Sequence, residues 1–204
     1  MTQAARALPE PSDEMVITDV EQLKAVSDPL RLQLLDVLAD DVRRGWTAKE
    51  LAEHLGTKQT KLYHHLGILE ERGFIRVAET RVVSGIIEKR YQATARSYRV
   101  ERALLTGADT DSAIGGALDA VFEKARNEIL AGLRSGDIDP DPTTSRPRGY
   151  GLWATNTRLS PASARKVQRL IERLREFDDL DDPDGVEFGL LVGFYPRPTR
   201  DAER

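Results

Sequence analysis

The sequence predicts an α+β fold, in which a helical domain with a β-hairpin is followed by one long helix and a small β-α-β unit. Apolar residues recur at helical spacing over residues 20–72, and two strand-like segments around a glycine follow them. A strand, helix, strand pattern ends the chain. The predicted divisions are a mobile tail (1–14), the helical and hairpin domain (15–106), the long helix (107–135), a linker (136–148) and the β-α-β domain (149–198).

The composition excludes several classes of protein. With 40% hydrophobic and 31% charged residues in a chain of 204, it is typical of a globular protein with a real core. No stretch reaches the roughly 18 apolar residues of a membrane span, and the start lacks the apolar core of a signal peptide. Cysteine is absent, which excludes disulfides, thiolate nucleophiles and thiolate metal sites. We therefore expect a cytoplasmic protein that does not bind a membrane.

Charge is distributed unevenly along the chain. The net charge is −4, yet residues 43–99 contain 12 Lys and Arg against 6 Asp and Glu. The remainder has 18 basic and 28 acidic residues. A basic segment inside an acidic protein indicates a local surface for anions such as nucleic acid, and a solvated face of mixed charge is the alternative.

Local signals place four helices before the hairpin. A short helix, VEQLKAVS, precedes SDPLRLQLLDVLADD, in which Asp28 is suited to cap and Pro29 to the first helical position. In TAKELAEHLG, Thr47 and Glu50 match a capping box. A tight turn at Gly56 separates that helix from the next, which starts at residue 57 or 58 and runs to residue 72. Two helices joined so closely predict a helix-turn-helix, and the hairpin FIRVAET to IIEKRYQAT makes it a winged helix.

Two of the three histidines stand side by side on the second helix of this motif. At helical spacing Leu62, Leu66 and Leu69 share the buried face, His64 points away from it, and His65 lies at its border. Adjacent residues on a helix do not face each other, so the pair cannot chelate one metal ion. No nucleophile or carboxylate is placed to make either ring catalytic. His65 is predicted to be half-buried, and His64 to contact DNA or simply to be solvated.

The segments VSDPLRLQLLDVL, ELAEHLGTKQTKLYHHLGILEERGFI and EKRYQATARSYRV closely resemble the winged helix-turn-helix of ArsR-like bacterial transcription regulators, over about residues 18–100. The resemblance implies that the second helix of the motif enters the DNA major groove and that the wing touches the DNA backbone or minor groove. It implies DNA contacts from the recognition helix at Thr57, Lys58, Gln59, Thr60, Lys61, Tyr63 and His64, and from the wing at Arg81, Lys89 and Arg90. Simple solvation of the wing residues is the alternative.

The resemblance does not imply that this chain senses a metal. Metal sensors of this kind use cysteines before the recognition helix, or Asp, His and Glu sets on a C-terminal helix. This chain has no cysteine and no histidine after residue 65, so we expect no metal site and no cofactor.

The C-terminal half is expected to supply dimerisation and control. On the long helix an apolar stripe recurs at spacings of three and four and is expected to pair two subunits, as the resemblance favours: Ile114, Leu118, Val121, Ala125 and Ile129. The helix opened by Ser160 and Pro161 is predicted to bury one face, and VEFGLLVGFYP is predicted to be a strand. A candidate effector pocket, for which ordinary core is the alternative, is formed by Trp153, Phe188, Phe194 and Tyr195.

The expected function is a homodimeric, sequence-specific repressor that binds a pseudo-palindromic operator and responds to a small organic effector or a protein partner. One alternative is a winged-helix protein-interaction module that does not bind DNA. Another is an enzyme with an accessory winged helix. The C-terminal region has no Cys, no His and no glycine-rich phosphate loop, so no enzymatic activity is expected.

Overall fold

The computed structural model describes residues 10–83, 85–106, 110–139, 157–174 and 188–196. The chain forms two compact units, Met1–Asn127 and Glu128–Arg204, and the boundary falls inside the long helix. The elements in chain order are β1 (Ser12–Ile17), α1 (Val20–Ala25), α2 (Pro29–Asp40), β2 (Trp46–Thr47), α3 (Ala48–His54), α4 (Gln59–Glu71), β3 (Ile75–Val83), β4 (Ile86–Ala93), β5 (Ala95–Val100), a 3-10 turn (Arg102–Thr106), α5 (Asp111–Ser135) and α6 (Pro161–Leu174).

The predicted helix starts are confirmed by their caps. The side chain of Asp28 accepts a hydrogen bond from the backbone N–H of Arg31 at 3.0 Å, which caps α2 next to Pro29. The capping box of α3 is complete: the N–H of Glu50 donates to the hydroxyl of Thr47 at 3.1 Å, and the N–H of Thr47 donates to the carboxylate of Glu50 at 2.7 Å. Such a cap contributes about 0.5–2 kcal/mol to the stability of the helix.

The core of the first unit lies between the helices and the sheet. Leu62, Leu66 and Leu69 are fully buried, which confirms the predicted inner face of α4. They pack in one cluster with Leu34 and Leu38 of α2 and with residues of α3 and the sheet. Because α4 is held along its entire inner face, its outer face is presented in a fixed orientation.

The wing is an antiparallel hairpin. Strands β3 and β4 pair from Ile75 opposite Ala93 to Val83 opposite Ile86, with a bulge between Val77 and Glu79. Gly85 adopts φ 81°, a left-handed conformation that glycine tolerates best, which explains its place in the turn. On its other edge β4 pairs with the two-residue strand β2, giving the strand order β2-β4-β3.

A second, two-stranded sheet was not predicted from the sequence. Strand β1 pairs in parallel with β5, so residues 12–14, which were expected in the mobile tail, are part of a sheet. Ile17 is buried in the core, and the guanidinium of Arg99 meets the carboxylate of Glu14 at 2.9 Å. The tail prediction was wrong for these residues because a partner some 80 positions away determines their structure. Residues 1–9 lie outside the described residues.

The N-terminal part of α5 packs on the core of its own chain through small residues. Ala113 and Ala120 are buried, and a Cβ added to Gly116 would lie 3.2 Å from the Cβ of Ser27. Farther along, Lys124 forms an ion pair with Asp36 of α2 at 2.8 Å. A long helix is therefore present over Asp111–Ser135, and its first turns pack on the winged helix; its predicted role in dimerisation stays a prediction. None of the helices in the described ranges is long and apolar enough to cross a membrane.

In the second unit α6 begins where predicted, with the N–H of Ser163 donating to the hydroxyl of Ser160 at 3.1 Å. The predicted burial of its apolar face is wrong within one chain, since Leu170 is exposed and Val167, Ile171 and Leu174 are only half-buried. No strand is assigned to residues 188–196, where one was predicted. The other predicted strand falls mostly on residues 149–156, outside the described residues, so the β-α-β arrangement is not confirmed.

Candidate nucleic-acid interface

The outer face of α4 carries the side chains predicted to meet DNA. Apart from Thr57, which is half-buried in the turn before the helix, all of them are exposed: Lys58, Gln59, Thr60, Lys61, Tyr63 and His64. The turn is tight because Gly56 adopts φ 59°. The structure thus brings the predicted recognition positions together on one surface, opposite the buried leucines.

The start of α4 is electropositive and unshielded. Its first turn contains no acidic residue, and Lys58 at the N-cap provides no side-chain hydrogen bond to the helix. Neither Lys58 nor Lys61 has a carboxylate partner among the described residues. A helix N-terminus attracts anions through its free backbone N–H groups and its dipole, and the two ammonium groups add to that field.

An open depression lies beside the turn between α3 and α4. Its volume is ≈ 610 Å³, and its lining residues are Gly56, Thr57, Lys58, Thr60 and Lys61. Two hydroxyl groups, two ammonium groups and a glycine backbone are suited to a phosphate, because each can donate hydrogen bonds to its oxygens. The depression is therefore suited to the sugar-phosphate backbone beside the groove.

Two outward side chains of α4 are already hydrogen-bonded to each other. The amide nitrogen of Gln59 donates to the phenol oxygen of Tyr63 at 2.7 Å, one helical turn away. This contact restricts the amide of Gln59 to one side of the helix. A glutamine amide can pair with adenine, and ordering it before binding reduces the entropy lost on binding.

The three predicted wing cations are paired with carboxylates in the free chain. Arg81 meets Glu79 at 2.8 Å, and Lys89 meets Glu70 at 3.4 Å. Glu79 precedes Arg81 on the same strand, whereas Glu70 belongs to α4. Phosphate contacts from these cations stay a prediction, and each contact would require an exchange of partners.

Arg90 has a different position from the other two. Its guanidinium donates to the backbone carbonyl of Gly45 and meets the carboxylate of Glu50 at 3.4 Å. A side chain at Gly45 would be crowded, because its Cβ would lie 3.2 Å from the Cβ of Arg90. Arg90 thus attaches the wing strand β4 to the loop before α3.

Glu50 is the centre of this attachment, and sequence reasoning recognised only its capping role. Arg44 approaches the same carboxylate at 3.5 Å. Burial alone would raise the pKa of Glu50, but the hydrogen bonds of Thr47 and the charges of Arg90 and Arg44 outweigh it and lower the pKa. The carboxylate is therefore ionised at neutral pH and couples α3 to the wing. No local pattern indicates this contact, because Arg90 lies forty positions away.

Beside this cluster, the indole of Trp46 contacts the guanidinium of Arg44 and the ring of His54. The guanidinium carbon of Arg44 lies 3.6 Å from the centre of the indole, and the ring of His54 meets it edge-on at 5.6 Å. Cation–π contacts of this kind contribute about 0.5–2 kcal/mol. His54, the third histidine, therefore packs against Trp46.

His65 links α4 to the start of α2. Its Nδ1 lies 3.5 Å from the carboxylate of Asp28 and has no hydrogen-bond partner. Burial lowers the pKa of His65 more than the charge of Asp28 raises it, and the charges of Arg31, His64 and Lys61 lower it further. The ring is therefore neutral near pH 7, and its predicted half-buried position is confirmed.

The outer end of the wing is apolar, a feature that sequence reasoning missed. Val82 is 74% exposed and Ile87 is 68% exposed, and they face each other across the hairpin with Val83 beside them. Strands normally alternate apolar and polar residues when only one face is buried. The run of aliphatic residues on both sides of the turn is the sequence feature that could have predicted this apolar end.

The residues predicted for dimerisation and effector binding are not gathered into one site. On α5, Ile114 packs against the core of its own chain, Leu118 and Val121 are exposed, and Ala125 and Ile129 are half-buried. Of the predicted pocket residues, Phe188, Phe194 and Tyr195 are exposed, and Trp153 lies outside the described residues. Both predictions remain untested.

Comparison with known proteins agrees with the geometry of the first unit. Residues 26–78 match the family model of a helix-turn-helix domain. Over this segment the chain is similar to that family. The segment contains α2, α3, α4 and the first residues of β3, so it ends before the wing is complete. The match supports a DNA-binding regulator of transcription.

A solved structure with a related sequence is HlyU from Vibrio cholerae N16961. It is 28% identical to the chain, and the match covers 37% of this chain and 74% of HlyU, with a TM-score of 0.30. The search of curated proteins gave no match.

Proposed function

We propose that the protein is an ArsR-like, homodimeric, sequence-specific repressor of transcription that binds a pseudo-palindromic operator. In this proposal α4 lies in the major groove, and the hairpin of β3 and β4 lies along the neighbouring backbone. Repression is steric, because the bound dimer covers a promoter. No catalytic activity is part of the proposal.

One observation carries the DNA-binding part: the unshielded positive N-terminus of α4. Most cations of the basic segment are paired with carboxylates, as Arg81, Lys89 and Arg90 are, but Lys58 and Lys61 are not paired in the described part of the chain. Leaving two unpaired lysines at the positive end of a helix is electrostatically unfavourable unless an anion binds there. A phosphate backbone supplies that anion.

Recognition of the DNA bases is assigned to outward side chains of α4. Gln59 can pair with adenine through its amide, and Lys61 can donate to guanine or hold a phosphate. His64 is exposed and projects from the same face. A dimer would place two such helices on half-sites about 34–36 Å apart, one helical turn of DNA.

Control by a small organic effector or a protein partner is the second part of the proposal. The full sequence has no cysteine and no histidine after residue 65, so its C-terminal half cannot form a thiolate site or a histidine-containing metal site. A signal that acts through the second unit would instead change how two subunits are held and hence the spacing of their α4 helices.

The proposal is tested by selecting binding sites from a library of random DNA duplexes with the full-length protein. We expect enrichment of an inverted repeat, followed by tight binding of that duplex in an anisotropy titration. The logarithm of the binding constant should fall linearly with the logarithm of salt concentration, because phosphate contacts release counterions. Selection that enriches no sequence, together with binding that salt does not weaken, would overturn the proposal.

A second candidate is a winged-helix interaction module that does not bind DNA. The apolar end of the wing favours it, because Val82 and Ile87 face each other across the hairpin and are both largely exposed. The same titration separates the candidates. A module of this kind binds no duplex at any salt concentration, and Lys61→Ala leaves its interactions unchanged.

A further inference from the structure

An uncharged apolar segment lies exposed in the second unit. Residues 188–196 read FGLLVGFYP, and the structure assigns them neither helix nor strand. Phe188 and Leu190 are each 65% exposed, and Tyr195 is 75% exposed. Leu191, Val192 and Phe194 are exposed as well. Every large side chain of the segment is thus in contact with water within a single chain.

Such a segment requires a partner. Exposed apolar patches of this kind mark interaction surfaces in soluble proteins. Its β-branched and aromatic residues favour a strand, and an unpaired strand offers its N–H and C=O groups to another chain. Large apolar side chains at consecutive positions are typical of a strand that is buried on both faces. The partner must therefore provide both a hydrogen-bonding edge and apolar cover.

The order of the residues indicates which partner fits. Residues 188–194 read nearly the same in both directions, as Phe-Gly-Leu-Leu-Val-Gly-Phe. In an antiparallel pairing of two copies centred on Leu191, Phe188 lies opposite Phe194 and Gly189 lies opposite Gly193. Leu190 then lies opposite Val192, and Leu191 lies opposite its own copy. Side chains of the same or similar size thus meet at each of these positions, and each contact occurs twice about the axis, as in a two-fold symmetric interface.

We propose that residues 188–194 pair antiparallel with the same residues of a second copy, about a two-fold axis at Leu191. The proposal rests on the homodimer proposed above and identifies a surface that joins its subunits. The match of side-chain size at every position favours a second copy of this chain over a foreign protein. The absence of charge within the segment also allows two copies to approach without repulsion.

The two faces of the paired strands would differ. Phe188, Leu190, Val192 and Phe194 alternate along one face, so the two copies place eight large apolar side chains there. Opposing aromatic and aliphatic pairs of this kind stabilise a sheet. The other face carries Gly189, Leu191 and Gly193, which leaves room for a helix to approach. The apolar side of α6, which includes the exposed Leu170, is suited to cover either face.

Disulfide trapping in the full-length protein tests the pairing, because the natural sequence contains no cysteine. Leu191→Cys places two thiols directly opposite each other, where Cα atoms are about 4.5–5.5 Å apart, a separation that a disulfide spans. We expect this variant to form a covalent dimer under mild oxidation with diamide. Leu190→Cys is the matched control. Its two copies would be separated by two residues along the strand, more than about 7 Å, so it should stay monomeric on a non-reducing gel.

The register is tested by co-expressing two differently tagged chains, one with Leu190→Cys and the other with Val192→Cys. We expect a cross-linked heterodimer, because these positions lie opposite each other. This pair also serves if Leu191→Cys alone fails to fold. Absence of both cross-links, or equal cross-linking of Leu190→Cys with itself, would overturn the pairing.

Each variant is also titrated with the selected operator duplex before cross-linking. This titration separates a failure of the strand pairing from a failure of the proposed DNA binding. Operator binding by a dimer that does not cross-link would overturn the strand pairing alone. A cross-linked dimer that binds no duplex would support the pairing and contradict the DNA-binding proposal.

Discussion

Lys61 and Arg90 carry the same charge, but their surroundings give them different roles. Lys61 is exposed on the outer face of α4 and has no carboxylate partner in the described ranges. Arg90 is half-buried between Glu50 and the carbonyl of Gly45. The resemblance alone assigned DNA contacts to both residues. Their contacts favour DNA binding for Lys61 and attachment of the wing for Arg90.

We expect Lys61→Ala to weaken operator binding without changing stability. The loss is about 1–3 kcal/mol if the ammonium reads a base, with discrimination relaxed at one position. If it holds a phosphate, all duplexes lose affinity alike, and the salt slope falls by about one. Lys24→Ala is the control, because Lys24 is exposed on α1 and paired with Glu21. Equal operator affinity of the two variants would contradict the assignment of α4 to the groove.

His65 should make stability depend on pH. Burial lowers its pKa below the ordinary value of 6.5, so the folded protein binds this proton less readily than the unfolded chain does. The stability that the neutral ring of His65 contributes is fully present above pH 6.5. This contribution is lost as the pH falls through 6.5 towards the lowered pKa of the folded state. Urea unfolding should show a smaller acid loss for His65→Gln than for the natural protein. His64→Gln, which changes an exposed ring, should keep the loss, and a reversed order would contradict the assignment.

At the scale of elements, local signals and long-range contacts were predictable to different degrees. The inner face of α4 and the capping box of α3 depend on residues within one or two helical turns, so the sequence was sufficient for both. The pairing of β1 with β5 joins residues about 80 positions apart and depends on packing that no local pattern reports. The outward residues of α4 were predictable for the same reason as its core, whereas the contacts of Arg90 were not.

The wing should be attached to α3 through the pair of Glu50 and Arg90. We expect Arg90→Ala and Glu50→Gln each to destabilise the protein, and the double variant to lose less than their sum. The coupling should be on the order of 1 kcal/mol, since the pair is partly exposed. Urea unfolding of the four proteins measures it. Arg81→Ala, which breaks the exposed pair with Glu79, is the control and should cost little. Strict additivity would show that the pair does not hold the wing.

Arg90→Ala should also affect DNA binding, but in a different way from Lys61→Ala. A wing that is no longer fixed to α3 meets the backbone less often in the correct position, so operator and unrelated duplexes lose affinity by similar factors. Comparison of the two duplexes in the same titration measures this. A loss confined to the operator would instead indicate a base contact from Arg90.

For the whole molecule, the two sides of α5 have different surroundings, and this difference bears on the proposed dimer. One side packs on the winged helix of its own chain through the buried Ala113 and Ala120 and through Gly116, where an added Cβ would lie 3.2 Å from the Cβ of Ser27. Leu118 and Phe122 are exposed on the helix, along with Val121. A chain that ended at Thr106 would therefore lose part of its own core as well as the proposed interface. A chain that ends at Ser135 keeps α5 and removes only the residues beyond that helix.

The chain ending at Ser135 should stay folded but dimerise more weakly than the full-length protein. It retains the exposed stripe of α5 and lacks α6 and residues 188–196. A monomer contacts only one half-site. It lacks the gain in affinity that a dimer obtains by linking two recognition helices, which can reach about 10²- to 10⁴-fold. Light scattering of both chains over a range of concentrations, followed by operator titration at each, measures the loss. Leu118→Lys in the full-length chain is the companion variant, since it places a charge in the stripe of α5 and leaves the second unit intact. If the shortened chain dimerises and binds operator as well as the full chain does, α5 alone joins the subunits, and the second unit is left with the effector or partner.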